Sequence, residues 1–146
     1  MIAARAAIVL LALTSASVAI AHMACIWLGP ECFQVQRAPL SIIESSKTGT
    51  WLATIATSFV SSLFLICSLY ALSAGKFIKR LPLMNTAVYT ISIICIARGL
   101  IIVPLIFRKP ELLSNFDITA SIIWFLYGVL LIYGYKTLRP KGHIKR

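Results

Sequence analysis

A single arginine, Arg98, stands inside a run of about twenty-five largely apolar residues, 83–107, far from either end. It is the only formal charge within the apolar segments of the chain. A guanidinium offers a rigid fork of donors suited to anions, but inside a bilayer it costs several kcal/mol unless partners face it. At a helical rise of 1.5 Å per residue, Arg98 lies about 13 Å in from Phe107. Counting inward from the same side of the other apolar runs puts Tyr127, His22, Ser58 and Ser61 at comparable depth, with Trp124 one turn from Tyr127. If the helices face one another correctly, Arg98 anchors a polar layer for an anionic or hydrogen-bonding ligand. In that layer Tyr127 supplies a hydroxyl, Trp124 a ring face, and Ser58, Ser61 and a neutral His22 accept or relay hydrogen bonds. The competing expectation is a structural arginine that snorkels outward and bonds backbone carbonyls left open near Pro104.

Other chemistry is sparse. Cys25 and Cys32 stand seven apart across a Gly29-Pro30 turn, and an oxidising compartment would allow a disulfide between them. Cys67 and Cys95 fall inside apolar runs and read as small hydrophobes. No intramembrane carboxylate exists, which disfavours proton-driven export, and His22 alone could titrate there. His22, Met23 and Cys25 are soft ligands on paper, but neighbouring helical positions point apart, so no metal and no cofactor is expected. There is no C-x-x-C, G-x-S-x-G, H-E-x-x-H or phosphate-cradling glycine loop. These absences lean against an enzyme.

The elements that must position these residues are membrane spans. A chain of 146 residues that is 60% hydrophobic, with mean hydropathy +0.92, is too apolar for a soluble protein of this size. The expected fold class is all-α, a single integral membrane domain over 1–146 with four transmembrane helices at 6–28, 51–73, 83–107 and 118–135. The 29–50 connection is the one substantial loop, with Pro39 opening one or two turns at the membrane interface. In the second span Thr54, Thr57, Ser58, Ser61, Ser62 and Ser68 form a helical stripe of small hydroxyls, suited to close helix packing or to a polar lining. Gly75 reads as a helix stop, Pro104 as a kink or frayed end, and Ser114, Asn115 and Asp117 as competing caps of the last helix. The start has a second reading, a secretory leader cut before His22, although the apolar run continues to Leu28 and is long enough to span by itself.

Charge sets the expected orientation. Nine of the fourteen basic residues lie at the start (Arg5), in the middle turn (Lys76, Lys79, Arg80) and in the tail 136–146 (Lys136, Arg139, Lys141, Lys145, Arg146). The other two connections hold Arg37, Lys47, Arg108 and Lys109 together with all four acids, Glu31, Glu44, Glu111 and Asp117. The positive-inside rule therefore puts both termini in the cytoplasm and the 29–50 loop outside, which in a bacterial inner membrane means the periplasm. Trp27, Trp51, Phe107 and Phe116 would mark the outer interface, and Tyr70, Phe77, Tyr133 and Tyr135 the inner one. The net charge of +10 flanks apolar runs rather than a soluble basic face, so nucleic acid is not an expected partner.

The segment Tyr70-Ala71-Leu72-Ser73-Ala74-Gly75-Lys76, then Lys79-Arg80-Leu81-Pro82-Leu83 and Ala97-Arg98-Gly99-Leu100, resembles the core of small uncharacterised four-helix inner-membrane proteins of proteobacteria. The resemblance implies a multi-pass bacterial inner-membrane protein and carries no activity with it. The first expected function is non-enzymatic: an accessory or protective, immunity-like protein that binds a partner in the bilayer. The second is an oligomeric transporter or channel component that holds an anion at the Arg98 layer, and the third a membrane enzyme acting on a lipid or quinone. Partners are then the lipid bilayer and a membrane protein or further copies of the chain. Gentle extraction followed by intact mass measurement is expected to return the full 16.0 kDa. A chain lighter by about 2 kDa would instead show the start to be a removed leader.

Overall fold

The computed structural model describes residues 1–139. Lys141, Lys145 and Arg146 of the expected basic tail lie outside the described residues. Those described are 84% helical and contain no strand, as the all-α expectation requires. Helix α1 (Ile2–Leu28) is followed by the short α2 (Pro30–Val35) and α3 (Leu40–Thr48), then by α4 (Trp51–Ala74). After the basic turn come α5 (Met84–Leu100), α6 (Ile102–Arg108), one turn of 3₁₀ helix at Pro110–Leu112, and α7 (Asn115–Leu138). Four helical stretches, α1, α4, α5 with α6, and α7, are long and apolar enough to cross a membrane.

The first helix begins four residues before the expected span and the last ends three residues beyond it, and two further differences have identifiable reasons. The last helix starts three residues earlier than the apolar run, because Ser114 caps it and Asp117 returns the bond. Asp117 N–H donates to Ser114 Oγ at 3.3 Å, and Ser114 N–H to Asp117 Oδ2 at 3.0 Å. The third span is not one helix. A proline ring crowds the carbonyl four residues back and removes that hydrogen bond, and the residue four before Pro104 is Leu100, where α5 ends. Ile101 carries the break.

The chain forms two compact units, Met1–Leu11 with the chain from Tyr70 onward, and Ala12–Leu69. In the first, α5 buries Met84, Val88, Ser92, Cys95 and Gly99, spaced four, four, three and four apart, which is one helical face. That face meets α7 closely. A Cβ at Gly128 would lie 2.5 Å from the carbonyl oxygen of Ser92, and one at Gly99 2.7 Å from that of Ser121, so the backbones approach only because both positions lack a side chain. The start of α1 belongs to the same unit. Ala4, Ile8 and Leu11 are buried, and Ile8 occupies the space a Cβ would need at both Gly75 (2.7 Å) and Gly134 (2.8 Å). Gly75 is therefore required for packing. The left-handed residue that closes α4 is Lys76, at φ 61°, with Lys76 N–H donating to Ser73 O and Phe77 N–H to Leu72 O.

The second unit is organised by the connection between α1 and α4. Gly29, at φ 82°, turns the chain out of α1 and Pro30 opens α2. Arg37, at φ 56°, ends α2, with Arg37 N–H donating to Gln34 O and Ala38 N–H to Phe33 O. Phe33 is buried with Cys25 and Ala53, and Ile42 and Ile43 of α3 pack on them. The interfacial turns expected after Pro39 are thus a folded helix, its apolar side against this cluster. Buried Ser45 locks it to the start of α4, accepting from Ala53 N–H at 2.9 Å and donating to Thr50 O at 3.1 Å. The small-hydroxyl stripe serves packing here: Thr57, Ser61 and Ser68 are buried, and Ser68 Oγ donates to Ala12 O at 2.9 Å.

Gly128→Ala tests the α5–α7 contact. Overpacking against a backbone carbonyl is expected to lower stability by about 1–3 kcal/mol, read as a lower midpoint of thermal unfolding in detergent. An unchanged midpoint would mean the two backbones do not approach at Ser92.

Candidate functional site

The six residues expected to form a polar layer divide between the two units. Arg98, Trp124 and Tyr127 belong to one, and His22, Ser58 and Ser61 to the other. Within the first unit, Gly99 and Cys95 face α7, and Arg98 lies about 100° round the helix from Gly99. Its side chain is consequently exposed and makes no hydrogen bond or ion pair with any described residue. Tyr127, by contrast, is 1% exposed, and its ring sits 5.7 Å from that of the half-buried Trp124. The arginine thus shares its surface with other exposed positions. Thr90, Ile94, Ala97, Ile101 and Leu105 recur at spacings of three and four along α5 and α6, all exposed. Chemically this is a cation on an exposed, largely apolar face, offering five N–H donors and no acceptor.

Within the second unit, His22 is half-buried, its Nδ1 2.9 Å from Val18 O and its ring centroid 5.3 Å from that of Phe64. A carbonyl only accepts, so in the neutral ring Nδ1 carries the hydrogen and Nε2 is left as an acceptor. His22 lines a cavity of about 380 Å³ together with Phe33, Gln36, Arg37, Thr57 and Val60. Gln36 is held there by Nε2–H donating to Ala21 O at 3.0 Å. Ser61 is 2% exposed with no hydrogen-bond partner for its Oγ among the described residues, while Ser58 is half-buried and its carbonyl accepts from Ser62 Oγ at 2.8 Å. Gln36, Thr57 and the folded connection that closes this cavity were not among the expected site residues. The signal available for them was the pair Pro30 and Pro39, each opening a helix, with Phe33 between.

Cys25 and Cys32 are joined as a disulfide with their Cα atoms 5.1 Å apart, which ties the end of α1 to α2 beside Gln36. Cys67 and Cys95 stand outside any disulfide, and Cys95 is buried on α5. Denatured but unreduced protein is expected to expose only the two thiols Cys67 and Cys95 to maleimide, and all four after reduction. Four thiols before reduction would remove the covalent closure of this cavity. Comparison with protein-family models, with curated proteins and with solved structures finds no match for this chain.

Proposed function

We propose that this chain is a non-catalytic accessory protein of a bacterial inner membrane that binds another membrane protein within the bilayer through the face of α5 and α6 carrying Arg98. The observation that carries this reading is the exposure of Arg98. Lipid tails supply no acceptor, and an arginine about 13 Å inside a span reaches headgroups only by distorting the bilayer around it. A neighbouring helix that presents a carboxylate, hydroxyls or open carbonyls supplies the missing bonds, and Thr90 and Ala97 let its backbone come close. A protective, immunity-like role, in which the partner is a membrane-active toxin, is one form of this function. An anion-holding transporter fits less well, since it requires Arg98 to face an enclosed layer. The orientation that accompanies the proposal has both termini and the basic turn cytoplasmic and the 29–50 connection periplasmic. It is supported by the distribution of Lys and Arg and by a disulfide at the end of α1 opposite Arg5.

A photocrosslinking residue at Ile94 or Ile101 is expected to give one discrete protein adduct in native membranes, and the same label in an Arg98→Leu chain is expected to lose most of it. Arg98→Lys should retain part, because a point charge replaces the fork. Lipid adducts alone at both positions would sink the proposal. An adduct at twice the chain's mass would name a second copy as the partner.

A further inference from the structure

A second feature of the first unit is independent of the Arg98 face. Where α4 stops, α5 begins and α7 ends, there is a cavity of about 530 Å³, within the size range of small-molecule sites. Its lining brings together Lys76, Arg80 and Arg139 over Ser73, Tyr135 and Leu138. Lys76 and Arg80 come from the turn between α4 and α5 and Arg139 from the end of α7, and each is held by its own device. Lys76 occupies the left-handed position after α4. Arg80 is bracketed by buried Ser73, whose Oγ donates to Lys79 O at 3.2 Å and accepts from Leu81 N–H at 3.0 Å. Arg139 lies over the Tyr135 ring at 5.9 Å, and the Tyr135 hydroxyl in turn donates to Asn85 Oδ1.

Three positive side chains converging on one cavity repel one another unless an anion joins them. The described residues of the unit supply none there. Its only acids are Glu111, which precedes α7, and Asp117 in the first turn of α7, whereas Arg139 follows the last turn, about 33 Å away at helical rise. Orientation in the membrane requires basic residues near the spans, but it does not require them to share a cavity with a tyrosine and an apolar floor.

We propose that this cavity binds a phosphate-bearing ligand, with Arg80 and Arg139 on the phosphate oxygens, Lys76 as an additional charge, and Leu138 against the adjoining apolar part. Phosphate matches the planar fork of arginine, and the site stands at the ends of spans, where lipid headgroups lie. An anionic phospholipid and a soluble phosphate compound share this chemistry.

The test uses the full-length protein, delipidated in neutral detergent and examined by native mass spectrometry with phosphatidylglycerol or phosphatidylcholine. Preferential retention of phosphatidylglycerol is expected. The double variant Lys76→Asn, Arg80→Gln is expected to weaken that retention roughly 25-fold, at about fivefold per basic residue removed. Asparagine is chosen because it tolerates the left-handed backbone at this position. The control pair Lys79→Gln, Lys136→Gln removes two charges from the same end but outside the cavity, and should leave retention within about twofold. Equal losses in both pairs, or no phosphatidylglycerol preference at all, overturn the proposal. Millimolar inorganic phosphate that displaces the lipid assigns the site to soluble phosphate compounds, and failure to displace it assigns the site to the lipid. A thermal midpoint unchanged in the cavity variant excludes unfolding as the cause of lost binding. Crosslinking through Arg98 and lipid retention here can each fail alone.

Discussion

In a hydrocarbon layer, apolar side chains gain nothing by leaving lipid for one another, so helices associate through close packing and shape. The long helices of this chain are apolar enough for that setting, and close packing is met by the approach of two backbones, α5 against α7, at Gly99 and Gly128. Once Gly99 is turned to α7, the direction of every other residue on α5 follows from the helical repeat. Cys95 and Ser92 go inward, and Arg98 goes outward. The glycines thereby decide the environment of Arg98, the one formal charge within the apolar runs.

This is also where the sequence was legible and where it stopped. Length and hydropathy locate four candidate spans, and among the described residues the structure has four long apolar helical stretches at nearly those positions, the third of them broken at Ile101. Ser114, followed three residues later by Asp117, marks a helix start by a local rule, and Pro104 marks trouble in the third span by another. Depth is equally local, because it needs only a count of residues from a span end. Azimuth is different. Whether Arg98 points into a bundle or away from it depends on which residue of α5 is buried against which of α7, and nothing within 83–107 names the partner helix. The same reason explains Gly75. By its neighbours it reads as a helix stop, whereas its lack of a side chain serves Ile8, a residue far away in sequence.

The connection between α1 and α4 shows a different balance of forces. Outside the hydrocarbon, polar backbone can be satisfied by water, so a connection of this length has no obligation to fold. It folds because its apolar side chains are concentrated on one side. Phe33, Ile42 and Ile43 close over Cys25 and Ala53, and the disulfide to Cys32 and the Ser45 bonds to α4 tie both ends of the connection to the spans. The basic turn between α4 and α5 is held with comparable economy by Ser73, which satisfies one carbonyl and one amide of the turn with a single hydroxyl.

Ile8 enters the notches of two glycines, Gly75 in the basic turn and Gly134 in the last helix. Ile8 precedes both in the sequence, and Gly134, on α7, is the later of the two. Until α7 has folded beside it, the start of α1 lacks one of the two surfaces that Ile8 fills. The first helix of this unit is thus finished only by the last: a chain truncated before Gly134 would leave one side of Ile8 uncovered.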